Sequence, residues 1–165
     1  MFNNRISFLG VLVILVVALS SFGCSADSQK NEPSNAFKEA KLPPFNSGVD
    51  FVIETLSKDG KVRFMGKTNL PDGITLMFTF RGVGYTAQNK AIVNAGTFET
   101  SSFSKEGGSL PKGGYILEIL TPIAAVQEPR IRDIVGSNGE NYKGNYVTTF
   151  NRDKIISYTK SVDIK

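Results

Sequence analysis

The octapeptide ITLMFTFR, residues 74–81, places Ile74, Leu76, Phe78 and Phe80 on one side of an extended chain and Thr75, Met77 and Thr79 on the other. Strict alternation of this kind has a period of two, the period at which a strand sends side chains to opposite faces of a sheet. The stretch predicts a central core strand with one fully apolar face. It is introduced by TNLPDG, residues 68–73, in which Pro71 presets φ, Asp72 tolerates the bend and Gly73 supplies positive φ.

Outward from this strand the same period recurs. Val49 to Leu56 reads as a first strand, and Lys58-Asp59-Gly60 turns it into a second from Lys61 to Lys67, with Val62 and Phe64 inward and Lys61, Arg63, Met65 and Lys67 outward. Downstream, Tyr85 to Val93 reads as a strand interrupted near Asn89, and Asn94-Ala95-Gly96 as a hairpin turn into a strand from Thr97 to Phe103. Lys105 to Gly114 reads as a flexible loop. Tyr115 to Leu120 resumes the alternation, and Asn145 to Phe150 with Lys154 to Ile164 makes a final hairpin joined by Asn151-Arg152-Asp153. One short helical insert is predicted at EPRIRDIVG, residues 128–136, where Pro129 suits a first turn and Gly136 a stop. The expectation is an all-β fold, an antiparallel β-sandwich of about eight strands over residues 47–165.

The remainder of the chain is organised for export. MFNNRISFLGVLVILVVALSSFGC, residues 1–24, carries Arg5, an apolar run from Ile6 to Leu19 and small residues before the sole cysteine. That is the three-part layout of a secretory signal occupying residues 1–23. The run is shorter than the roughly 20 residues a membrane-spanning helix needs. Its ending on Gly23-Cys24 resembles a bacterial lipoprotein signal. The resemblance implies that the Cys24 thiol takes a diacylglyceryl group, that the peptide is cut just before it, and that Cys24 becomes the lipidated first residue. Ser21 and Phe22 depart from the family's usual Leu and small residue, and an ordinary signal peptidase cutting after Gly23 would release a soluble chain instead. In a host with two membranes, Ser25 in the second mature position resembles the signal for passage to the outer membrane. Residues 24–46 then form a tether, polar and prolyl, with Asp27, Glu32 and Glu39 balancing Lys30, Lys38 and Lys41.

Composition narrows the function classes. Among 165 residues there is no histidine and one cysteine, which removes Ser/His/Asp and Cys/His relays, the usual zinc sites and an internal disulfide framework. The net charge of +4 is too small to call for a nucleic-acid partner. Residues 48–165 hold 15 basic against 12 acidic side chains, without a long block of either sign. No cofactor and no metal is expected.

The succession TNLPDG, a strong strand, a hairpin around NAG (94–96), then LPKGGY (110–115) leading into a strand resembles immunoglobulin-like and prealbumin-like modules of bacterial exported proteins. The resemblance implies an immunoglobulin-like sandwich used in adhesion, carbohydrate contact, assembly or spacing.

Candidate contact residues follow from the pattern. Lys61, Arg63 and Lys67 share one strand face and form a basic stripe for phosphates, anionic glycans or an acidic partner, or else a solvated edge. Tyr142 and Tyr146, in SNGENYKGNY, make an exposed aromatic patch for sugar or protein contact, or else pack under the final hairpin. Three Ser-x-x-Lys strings, Ser102/Lys105, Ser109/Lys112 and Ser157/Lys160, have the spacing of penicillin-recognising enzymes but lie on no expected helix. Glu99, Glu118, Glu128 and Asp133 are acid/base candidates with no spacing that selects a pair. Gly82-Val83-Gly84 lacks the third glycine of a dinucleotide loop, and Ser137 to Asn141 is a faint calcium-loop pattern. The leading expectation is a membrane-anchored, non-catalytic binding or assembly module with an envelope protein or glycan partner. An envelope hydrolase or inhibitor on the same scaffold, or a passive spacer, are the alternatives.

Overall fold

The structure is a computed structural model that describes residues 41–82 and 84–165. The signal segment, Cys24 and all but the last residues of the tether lie outside the described residues, as does Val83. Eight strands follow in order: β1 Phe51–Lys58, β2 Lys61–Thr68, β3 Thr75–Gly82, β4 Tyr85–Ile92, β5 Thr97–Glu99, β6 Gly113–Leu120, β7 Val147–Phe150 and β8 Asp153–Ile164. A single α-helix, α1, spans Pro129–Val135 between β6 and β7, and 3₁₀ turns occupy Phe45–Ser47 and Ala124–Val126.

All strand pairs are antiparallel and they form two sheets, β1-β2-β5 and β4-β3-β6-β8-β7. The β1–β2 hairpin is closed by Asp59 and Gly60, with φ of 52° and 68°, the pair of left-handed residues that a two-residue hairpin requires. The two sheets face each other across one core. Leu76, Phe78 and Phe80 of β3 are fully buried together with Val62 and Phe64 of β2 and Leu117 and Ile119 of β6. Rings bridge the sheets: Phe64 lies 5.1 Å from Phe80, Phe98 lies 5.6 Å from Phe78, and Phe51 lies 5.3 Å from Tyr158.

Three expectations need correction. β4 is continuous, because Asn89, on the core-side face of this edge strand opposite Phe78, finds partners outside the ladder: its Nδ2 donates to the Ser101 carbonyl at 3.2 Å and its Oδ1 accepts the Lys90 N–H at 2.8 Å. β5 stops at Glu99, four residues early. There the Thr100 hydroxyl accepts the Phe64 N–H at 3.0 Å, standing in for a backbone carbonyl, and pairing resumes as an isolated bridge between Phe103 and Val62. Within the expected loop 105–114, Leu110 is buried, its N–H donates to the Gly60 carbonyl at 2.8 Å, and Gly113 and Gly114 already belong to β6.

The two ends of the domain differ. At the distal end lie the β1–β2 hairpin, the end of β3 and the start of β6, where β8 also finishes with Ile164 opposite Gly113. The proximal end holds the start of β1, the 69–73 turn, α1 and the β7–β8 hairpin. Residues 41–50 join here: Asn69 Nδ2 donates to the carbonyls of Pro43 and Gly48 at 2.9 and 2.6 Å, and the Asn69 Oδ1 accepts the Asp50 N–H at 2.9 Å. The β7–β8 hairpin overhangs this end, since Ser157 is already opposite Leu120, the last residue of β6.

Candidate functional site

Lys61, Arg63 and Lys67 do share the outer face of the three-stranded sheet, opposite the buried Val62 and Phe64. They do not stand alone there. The Arg63 guanidinium donates to the Glu99 carboxylate from the neighbouring strand, with both side chains a little under half exposed. By register Glu54 lies opposite Met65 on the same face, and Lys67 also has a polar or electrostatic partner. Leu56, 8% exposed, sits across from Arg63 on this outer face, so the long basic side chains lie over apolar surface as well as in water. The stripe is a mixed-charge, partly apolar face.

The tyrosine pair is divided by the structure. Tyr142 is 1% exposed and belongs to the core, which corrects its reading as half of an exposed patch. The reason is local: the chain doubles back through Gly139 and Gly144, and Phe45 closes over the ring edge-on at 6.2 Å. Burial pushes the Tyr142 hydroxyl up to about 12, with the nearby Thr121 hydroxyl offsetting part of the rise. Thr121 is engaged in accepting the Ile156 N–H at 2.9 Å, and the Tyr142 hydroxyl has no hydrogen-bond partner within proper geometry. Tyr146 is half-buried and packs edge-on against Phe51 and Tyr158 at 5.8 and 5.2 Å. It also lines a polar hollow of about 290 Å³ with Pro43, Ser47, Asp50 and Asn145 at the proximal end. One aromatic ring beside a carboxylate and a side-chain amide is a composition suited to a sugar or a polar peptide edge. Asp50 and Tyr158 are near enough that the carboxylate helps hold the Tyr158 hydroxyl above its usual range, after burial and Tyr146.

The other candidates are scattered. Glu99 projects from the outer face of one sheet and Glu118 from the outer face of the other, where it lies 3.9 Å from Arg81, so the core separates them. Glu128 and Asp133 are exposed on or just before α1. Ser157 and Lys160, three apart on β8, point to opposite faces. Lys160 turns inward and its Nζ donates to the Ile53 carbonyl at 3.0 Å, while the Ser109 hydroxyl donates to the Asp59 carbonyl at 3.3 Å. Ser102 and Lys105 fall in the turn after β5. In the 137–141 loop the Glu140 carboxylate folds back onto its own backbone N–H and onto that of Asn138, the latter at 2.8 Å, and these contacts hold it below the usual carboxylate range. Among the described residues no three His, Cys, Asp or Glu side chains converge as a metal site would require. Gly82 is needed for packing: a Cβ there would collide with the Gly114 carbonyl.

A feature missed in the sequence is apolar. The outer face of the five-stranded sheet carries Met77, Leu120 and Ile155 near its proximal end, and with Pro122, Ile123 and Phe150 they line a groove of about 160 Å³. Phe150 at the hairpin tip is 55% exposed. The sequence signal was present as Ile92, Leu120 and Phe150 on strand ends, but which strands lie side by side is not encoded in local alternation. Comparison with protein-family models, with curated proteins and with solved structures returns no match for this chain.

Proposed function

We propose that the chain is an exported envelope lipoprotein, acylated at Cys24, whose folded part is an immunoglobulin-like, non-catalytic binding or assembly module facing away from the cytoplasm. The observation that carries the reading is the order of three segments: a signal-like apolar run ending on the sole cysteine, a neutral polar spacer, and a two-sheet domain that the spacer joins at Pro43 to Asp50. Acyl chains contribute about 0.8 kcal/mol per buried CH₂, so several on one residue hold a domain without a spanning helix.

The immunoglobulin-like assignment is supported by connectivity. Sheet order β1-β2-β5 against β4-β3-β6-β8 follows the A-B-E and C′-C-F-G arrangement of that architecture, with α1 and β7 inserted before the last strand. Tyr115 supports it independently. It stands at the start of β6, and its hydroxyl donates to the Pro111 carbonyl four residues upstream at 2.8 Å, the tyrosine-corner contact at the same connection. The Cys/Trp/Cys marker of antibody domains is absent from the sequence.

Contacts to an envelope protein or a glycan are assigned to the hollow around Tyr146 and Asp50 and to the Lys61/Arg63/Lys67 face. Intact mass and membrane partitioning of the full chain, beside Cys24→Ser, test the anchor: added acyl mass on a chain beginning at Cys24, lost in the variant, is the expected result. An unmodified soluble chain would overturn it. For the basic face, replacement of Lys61, Arg63 and Lys67 by Ser is expected to weaken capture of envelope partners; unchanged capture eliminates that face.

A further inference from the structure

Five large apolar side chains are more than a third exposed among the described residues: Ile92, Ile116, Val126, Ile134 and Phe150. Four of them, all but Ile116, are gathered at the proximal end. Ile92 closes β4 beside the first rung of β3, Val126 and Ile134 project from the 3₁₀ turn and α1 that cap this end, and Phe150 tips the overhanging hairpin. The apolar groove on the outer face of the five-stranded sheet reaches this end at Phe150. This is also the end at which residues 41–50 join the domain.

We propose that the proximal end docks on the bilayer interface, with Phe150 and its neighbours seated among the headgroups and upper acyl chains. The inference rests on the reading of Cys24 as the anchor. Between Cys24 and Lys41 lie residues 25–40, sixteen residues, a length of chain that can span at most roughly 55 Å. The chain enters the domain at its proximal end, so the anchor ties that end, not the distal one, next to the membrane. A short linker sets an effective concentration of roughly millimolar order, at which weak apolar contact suffices to keep a domain down. Aromatic and aliphatic side chains at a polar rim favour this depth. The proximal end carries Arg130, Arg152 and Lys154 beside Glu128, Asp133 and Asp153, so neither sign dominates and the contact is apolar. Docking on zwitterionic vesicles should therefore persist, with little response to salt.

The chain contains no tryptophan, so one introduced tryptophan is a unique reporter. The experiment compares full-length acylated Phe150→Trp with Ile116→Trp, both on phosphatidylcholine vesicles with and without bromine on the upper acyl carbons. Both positions are exposed, so the fold tolerates the exchange. The expected result is a blue shift and loss of emission with brominated lipid for Phe150→Trp and neither change for Ile116→Trp. Unshifted, unquenched emission at both positions in a chain of acylated mass would overturn docking while leaving the anchor intact. A blue shift at Phe150→Trp without bromine quenching would also overturn it, by showing that protein, such as a second copy, covers the site. An unacylated mass would sink the anchor and the docking with it.

Discussion

Two buried tyrosines illustrate how much one hydroxyl decides. Tyr115 stacks on Phe80 at 4.7 Å and places its hydroxyl on the Pro111 carbonyl. Tyr115→Phe should cost about 1 kcal/mol in denaturant unfolding, the net value of one intramolecular hydrogen bond. Tyr142 is as deeply buried but its hydroxyl lacks such a partner. Tyr142→Phe should therefore be neutral or slightly stabilising at neutral pH. The two proteins should part at alkaline pH. With the folded hydroxyl pushed up to about 12 against about 10 in an unfolded chain, the folded state keeps a proton the unfolded state releases. Stability is then full below pH 10 and falls as pH rises from 10 toward 12, by roughly 2 kcal/mol from this group. Chemical denaturation of both proteins across that range checks it, and a fall equally steep in Tyr142→Phe would assign the loss elsewhere. The contrast was only half legible. LPKGGY leads into a strand whose alternation sets Tyr115, Leu117 and Ile119 on one face, while both faces are largely apolar and which one turns inward is decided by the neighbouring strands. GENYKGNY has no period, and whether Tyr142 points in or out depends on Phe45 and on chain reversals fixed by distant contacts.

At the level of elements, β2 shows why a glycine sits in the middle of a strand. Gly66 faces inward directly opposite Phe98 of β5, whose ring lies where a Cβ would project, and the Val52 carbonyl is close behind. Gly66→Ala should push the ring off its place against Phe78 and cost about 1–3 kcal/mol, as overpacking does. A melting temperature unchanged from the parent would count against this account. The strands themselves were readable from side-chain period, and α1 from Pro129 and Gly136, because these signals are local. The errors fell where a side chain took over a backbone role. Thr100 ended β5 by offering its hydroxyl to Phe64, and Asn89 left β4 unbroken by finding partners outside the ladder. Neither is visible as an alternation of apolar and polar residues, since each depends on which strand lies alongside.

For the molecule as a whole, a single core joining both sheets implies cooperative unfolding. Phe64 touches Phe80 across the sheets and Phe103 beside it, at 5.1 and 5.6 Å. Phe64→Ala should cost about 3–5 kcal/mol. Its transition should coincide whether followed by far-ultraviolet circular dichroism or by tyrosine fluorescence. Two separated transitions would mean that the sheets stand independently.

The start of β1 at the proximal end and the finish of β8 at the distal end have a mechanical meaning. A pull between Pro43 and Ile164 would draw β1 lengthwise along β2 and β8 lengthwise along β6, whose rungs run perpendicular to the strands. All rungs of each ladder would then bear load together, in shear, whereas a pull across the β7–β8 hairpin would open its rungs one after another. A domain built this way and held at its proximal end would resist traction from beyond its distal end better than its modest size implies.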